Sequence, residues 1–201
     1  MKIIQKIKNM FTKKTINIST KLIPETDKVS LSVPIKRLIE NYDLTKKNIL
    51  IIDDSKGIIS MINDFLDECL NVKDYNVLSF FQKYAPFIMM KTFSQMNMKS
   101  IDFAIIDIVL PGKMQIKNKY VKYDGIDVAI YLYEKYNCKN FLFYTGNLNG
   151  EFSDYFEEKS EKFEKYFGRD IHDFIVYKGD YDGDKTITEF KKLFSGEKYT
   201  L

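Results

Sequence analysis

Four apolar runs, far apart in the chain, each end on a polar residue. They are ILIIDDS at 49–55, DFAIIDIVLPG at 102–112, FLFYTG at 141–146 and DFIVYKGD at 173–180. Short all-apolar runs of β-forming residues are expected of strands buried on both faces. Stretches with a helical apolar period lie between them. Alternation of this kind commits a chain to an α/β fold, a doubly wound parallel sheet with right-handed crossovers and helices on both faces. The terminal polar residues are Asp53 and Asp54, then Asp107, then Thr145, then Lys178. In an open parallel sheet the carboxyl ends of the strands converge on one edge, where ligands bind. Three carboxylates, a hydroxyl and an ammonium brought together there suit a divalent metal and a phosphoryl group.

The pattern predicts five strands. The first is 49–52, followed by a helix with Ile58, Ile59, Met61, Ile62, Phe65, Leu66 and Leu70 at helical spacing. Residues 71–85 (NVKDYNVLSFFQKYA) fit poorly and are read as an extra helix over 77–84, with the second strand at 87–92 and a short crossover at 94–100. The third strand is 103–108. A polar stretch, 113–123, precedes a helix over 126–136 with Val128, Ala129, Leu132 and Tyr133 inward. The fourth strand is 141–144, the next helix 151–166, the fifth strand 174–177 and the last helix 185–194.

Residues 1–46 differ from the rest. They hold ten Lys/Arg against four Asp/Glu, although the whole chain of 201 residues has a net charge of only +3. Ile3, Ile4, Ile7, Met10 and Phe11 recur at helical spacing among lysines, a basic amphipathic pattern that would suit an anionic membrane surface through residues 1–14. Packing of that stripe on the domain, or disorder, is together the favoured explanation. Residues 15–34, with Pro24 and Pro34, read as a linker, and 33–42 as a short helix. The expected organisation is therefore a basic extension over 1–46 and one domain over 47–197. A mildly acidic domain is not the footprint of a nucleic-acid binder. No apolar run nears the ~20 residues that span a bilayer. Cys69 and Cys138 match no metal spacing, and a reduced, cytoplasmic protein is expected.

Taken in order, the acidic pair, D-x-x-x-P-G, T-G and strand-ending Lys resemble the receiver domain of two-component response regulators, a flavodoxin-like five-stranded family. The resemblance covers roughly 47 to 194. It implies that Asp107 accepts a phosphoryl group from a sensor histidine kinase or a phosphotransfer protein, with Mg²⁺ as cofactor. Asp54, Asp107 and the Val109 carbonyl would ligate the ion, with Asp53 acting mainly through water. Lys178 would pair with Asp107 and then with a phosphoryl oxygen, and Thr145 would donate its hydroxyl to another. Gly146 would leave room beside the group. Such a protein is no conventional enzyme, although it catalyses its own phosphorylation and dephosphorylation. Output would be by contact with an unknown downstream protein. The alternative is a phosphorylation-independent interaction module on the same fold.

Each position also has a plainer explanation. Adjacent Asp residues after a strand often start a helix, Thr145 could be an ordinary strand residue, and Lys178 could be solvated. Asp107 is harder to dismiss, because a lone carboxylate in an apolar strand is costly. The chain also departs from the family. Eleven residues, KMQIKNKYVKY, separate Gly112 from Asp124–Gly125. Gly179 stands where the family has Pro, and Ile175 where it has an aromatic switch. Val109 offers no side-chain help to an attacking water, so slow self-dephosphorylation is expected, with Asn147 at the matching position after Thr145. The acidic run at 180–189 has Lys185 and Lys191 where a Ca²⁺ loop needs Gly and Glu, and reads as a turn. His172 is the only histidine and belongs to no metal site.

Overall fold

The computed structural model describes residues 42–81, 85–96, 98–111, 113–116, 119–146, 153–179 and 183–201. The expectations for residues 1–14, the linker and most of 33–42, and for Gly112, Asn147, Asp180 and Asp182, lie outside the described residues.

Five strands, β1 (Lys47–Ile52), β2 (Tyr75–Phe80), β3 (Phe103–Ile106), β6 (Asn140–Thr145) and β7 (Ile175–Tyr177), form one parallel sheet in the order β2-β1-β3-β6-β7. Ile49 to Ile52, Ala104 to Ile106 and Phe141 to Phe143 are at most 1% exposed, as central strands require. Helices α1 (Lys56–Cys69) and α5 (Gly183–Ser195) cover one face. Phe65 of α1 meets Phe190 of α5 edge-on, and Tyr144 of β6 meets Phe190 from the sheet. Helices α2 (Ala85–Met96), α3 (Gly125–Tyr136) and α4 (Ser153–Phe167) cover the other, where Phe93 of α2 meets Tyr136 of α3 and Phe163 of α4 packs on Phe141 and Phe143. The alternation of Phe143 and Tyr144 between the two layers is the two-residue period of a strand.

The second strand and its crossover differ from expectation. Residues 77–80, expected as the start of a helix over 77–84, belong to β2, and 87–92, expected as a strand, lie inside α2. In α2, Ala85, Pro86, Ile88, Met89, Met90, Thr92, Phe93 and Met96 are all buried. A helix buried nearly all round loses its amphipathic period, and its apolar run cannot be told from a strand. In β2 the signal is masked by Asn76, which points inward. Its side chain donates to the Asn48 Oδ1 at 2.9 Å and to the Asp43 carbonyl at 2.6 Å, and accepts from the Asp43 N–H at 3.1 Å. Tyr133, expected inward, is 37% exposed, and Tyr136 takes the buried position. The stretch at 113–123 is more than a loop: β4 (Lys113–Ile116) and β5 (Lys119–Lys122) pair antiparallel as a hairpin outside the main sheet. No described helix is long and apolar enough to cross a membrane.

β7 is short and pairs only with residues 143–145 of β6. The edge of β6 left open at Asn140 and Phe141 is filled by the C-terminal tail. The Phe141 N–H donates to the Tyr199 carbonyl at 3.0 Å, and the Leu201 N–H to the Lys139 carbonyl at 3.0 Å. Tyr199 has φ of 66°, an uncommon conformation for a residue with a side chain. It is held there by its hydroxyl, which donates to Glu189, a carboxylate that also accepts from Lys192 and Lys198. Burial pushes the Glu189 carboxyl up, but these three donors outweigh it and bring it to about 2. Its contribution to stability is therefore complete above the unfolded pKa of roughly 4.3 and is lost as pH falls through about 2. Glu189→Gln should lower the unfolding free energy at pH 7 by about 1 kcal/mol. In urea titrations the gap to the wild type should narrow between these two pKa values on acidification.

Candidate functional site

Backbone hydrogen bonds extend the strand ladders one residue past their ends, and that extension carries the polar side chains. The Asp53 N–H donates to the Phe80 carbonyl at 3.1 Å, Asp107 N–H to Ile52 at 2.8 Å and Lys178 N–H to Thr145 at 2.8 Å. Asp53, Asp107, Thr145 and Lys178 thus sit at the carboxyl ends of four adjacent strands, at and beside the point where the strand order reverses.

The side chains converge. The Thr145 hydroxyl donates to Asp107 Oδ1 at 2.9 Å. Lys178 Nζ lies 2.9 Å from Asp107 Oδ2 and 2.7 Å from Asp53 Oδ2. The Val109 N–H reaches Asp107 Oδ1 at 3.4 Å. Asp53 is 1% exposed, Asp107 5% and Thr145 fully buried, whereas Asp54 is exposed. The plainer helix-start explanation also applies to Asp53: its Oδ1 accepts from the N–H of Ser55, the N-cap of α1, at 2.8 Å. One oxygen of Asp53 orders the helix start while the other faces the site.

Burial pushes the Asp107 carboxyl above the usual carboxylate range, and the charge on Asp53 adds to this. Lys178 and Thr145 pull the other way without cancelling it. Burial alone would lower the Lys178 ammonium, but Asp107 and Asp53 outweigh it and hold the group above its ordinary value. Lys178 is a fixed cation, and Asp107 a carboxylate whose charge the fold tolerates poorly.

Asp53, Asp54 and Asp107 each bring one carboxylate oxygen to within 4.8 Å of the other two. Asp53 Oδ2 is buried, and apart from its ion pair with Lys178 it makes no aligned hydrogen bond. An all-oxygen, anionic donor set with one under-used buried oxygen fits a hard divalent cation such as Mg²⁺.

No protein-family model matches the chain, and no curated protein matches it. Solved structures do. The RcsB response regulator of Salmonella typhimurium, described by its conformational dynamism for DNA interaction, superposes with a TM-score of 0.50 at 18% identity, over 78% of this chain and 63% of that one. This fold is a receiver fold. The chain therefore spans less than two thirds of that RcsB chain. The isolated receiver domain of RcsB from Salmonella enterica serovar Typhimurium aligns with 78% of this chain and 94% of its own, at 19% identity and a TM-score of 0.47. The signal receiver domain of an HD-domain protein from Pseudomonas fluorescens aligns with 76% and 97%, at 12% identity and 0.48.

The remaining positions singled out in the sequence have distinct settings. Ile175 is half-buried and Tyr177 is 36% exposed. A Cβ built on Gly146 or Gly179 would meet nothing within 4 Å. Gly125, which in the sequence only marks the end of the 113–123 stretch, is the opposite. Its N–H donates to the Ile108 carbonyl at 2.9 Å, and a Cβ there would lie 2.1 Å from the Asp107 carbonyl oxygen. Only glycine lets the first turn of α3 sit directly behind Asp107. The signal was present in the Asp-Gly pair ahead of a helical pattern, but its contact partner lies 18 residues away.

Proposed function

We propose that the chain is a response-regulator receiver that accepts a phosphoryl group on Asp107 and signals through protein–protein contact. The observation that carries this reading is a single buried carboxylate touched at one oxygen by a hydroxyl and at the other by an ammonium, with two more carboxylates alongside. The donor is a sensor histidine kinase or a phosphotransfer protein, in a cytoplasmic two-component pathway. Residues 47–197 form the receiver and 1–46 a basic extension.

In the transfer, an Asp107 carboxylate oxygen attacks phosphorus in line with the donor's P–N bond. The new O–P bond gives an acyl phosphate, and the electron pair of the broken bond stays on the donor imidazole nitrogen. Such transfers need positioning and charge neutralisation more than covalent help. Lys178 and Thr145 already hold the two Asp107 oxygens, and each can pass to a phosphoryl oxygen as the carboxylate is esterified. Asp53, Asp54, Asp107 and the Val109 carbonyl would hold Mg²⁺, which when bound neutralises charge on the transferring group.

The test is incubation of the purified chain with acetyl phosphate or phosphoramidate at millimolar concentration. The expected result is a single phosphoryl mass gain that needs Mg²⁺ and is removed by hydroxylamine, as acyl phosphates are. Absence of any gain with both donors would reject the reading in favour of a phosphorylation-independent module.

A further inference from the structure

Helices α3 and α4 are joined by a ladder of polar pairs. Asp124, the N-cap of α3, lies 3.2 Å from Lys159 Nζ of α4. Asp127 pairs with Lys162, and the Tyr166 hydroxyl donates to Glu134 at 2.6 Å. The rings of Tyr133 and Phe167 close the far end, 5.5 Å apart. The residue numbers climb together, so the helices run parallel and their N-termini lie side by side. On α4, Lys159, Lys162 and Tyr166 follow the i, i+3, i+7 spacing of one helix face.

The rungs differ in where they lead. Lys162 and Tyr166 grip the body of α3. Lys159 grips its N-cap, Asp124, which is next to Gly125, and Gly125 backs directly onto the Asp107 carbonyl. Asp124 is 3% exposed, and its side chain also accepts from the Asp127 N–H at 2.9 Å while the Asp127 carboxylate accepts from the Asp124 N–H. Burial pushes the Asp124 carboxyl up, but the Asp127 backbone and Lys159 outweigh it and hold it below the usual range. The Lys159 side chain is only 14% exposed. Asp124 is buried and doubly tethered and Lys159, which also meets Glu158 at 3.1 Å, is half-buried, so the pair differs from a fully exposed one, which contributes little.

We propose that Lys159 and Asp124 are positioning residues for Asp107. Their ion pair fixes the first turn of α3 behind the acceptor carbonyl, so that phosphoryl capture and the placement of α4 are coupled. The inference rests on the receiver reading above and adds a route from the acceptor to α4 that passes through Gly125 and Asp124. It needs no aromatic at position 175. Reciprocity follows from linkage: if capture at Asp107 shifts α4, a change in the hold on α4 must alter capture.

The test uses the full chain, with acetyl phosphate as donor and beryllium fluoride with Mg²⁺ as a stable phosphoryl mimic. Lys159→Gln removes the charge from α4. Asp124→Asn removes it from α3 while keeping a side chain equally good as an N-cap. Each should weaken the affinity for beryllium fluoride about fivefold and slow labelling by acetyl phosphate, and the double variant should be no weaker or slower than either single. Lys159→Arg should retain the wild-type rate. Glu134→Gln, which takes the charge from the rung farthest from Asp107, should leave the rate unchanged. Beryllium fluoride should change amide hydrogen exchange over residues 153–167 in the wild type and in Glu134→Gln, and not in Lys159→Gln or Asp124→Asn. Wild-type rates in both pair variants, or equal slowing by Glu134→Gln, would overturn the coupling and leave the receiver reading intact. A wild type that neither labels nor binds beryllium fluoride would overturn both.

Discussion

Asp107→Asn will reduce labelling by acetyl phosphate to background and, in the metal-free protein, raise rather than lower the melting temperature. The loss follows from chemistry, because an amide oxygen is no nucleophile towards phosphorus and cannot form the acyl phosphate. The gain follows from electrostatics. The Asp107 carboxyl is held above its ordinary range, first by burial and then by Asp53. A carboxylate with a raised folded pKa carries a charge that the fold disfavours at neutral pH, so removing the charge removes that penalty. The substituted amide can still accept from the Thr145 hydroxyl, and Lys178 keeps its ion pair with Asp53 at 2.7 Å. Thermal melts of both proteins at pH 7 in EDTA read the second effect. A variant that is inactive and markedly less stable would show that Asp107 is a structural anchor rather than a strained acceptor.

Phe141→Ala will cost about 3–5 kcal/mol of unfolding free energy. Phe141 is fully buried on β6 and sits at the centre of an aromatic cluster. Its ring stacks on Phe174 at 5.4 Å and meets Phe143, Phe167 and Phe163 at 5.7, 5.8 and 6.2 Å. The truncation opens a cavity that rings from β6, α4 and the 3-10 turn Ile171–Phe174 cannot all collapse to fill. The melting temperature should fall by roughly 10 °C for a domain of this size. Urea titrations should show a lower midpoint with an unchanged slope. The folded fraction should still label, because Thr145 lies four residues further along β6, about 13 Å away. A loss below about 1 kcal/mol would mean that this cluster is not the core that seats α4.

Both effects bear on the same organisation. The aromatic cluster presses α4 against the sheet, and the polar ladder ties α4 to α3. The first turn of α3 then lies against the backbone of Asp107 and Ile108.

The strands β1, β3 and β6 were legible in the sequence because their central positions are buried on both faces and apolar, and the edge strand β7 because its short run is rich in β-forming residues. The strand β2 was not. It is an edge strand with a half-buried face, and its inward Asn76 is stabilised by Asn48 and Asp43, partners 28 and 33 residues away. The helix α2 was hidden for the opposite reason, being apolar on nearly every side. The hairpin at 113–122 carries no Gly-containing two-residue turn of the type that advertises one, and it read as a loop.

Local composition alone was enough to place Asp53, Asp107, Thr145 and Lys178 at strand ends. The carboxyl ends of parallel strands share one edge, whatever the details of packing. Other features depend on chain crossings that no local pattern encodes. Asp53 divides its two oxygens between the start of α1 and the site. Gly125 is pressed against a carbonyl that any side chain would strike. Lys159 on a charged helix is the lysine that reaches Asp124. Periodicity reports which face of an element is buried, since burial is decided by side-chain chemistry along one strand or helix. It does not report which partner lies across the gap, because that is decided by the register of elements brought together only when the sheet has formed.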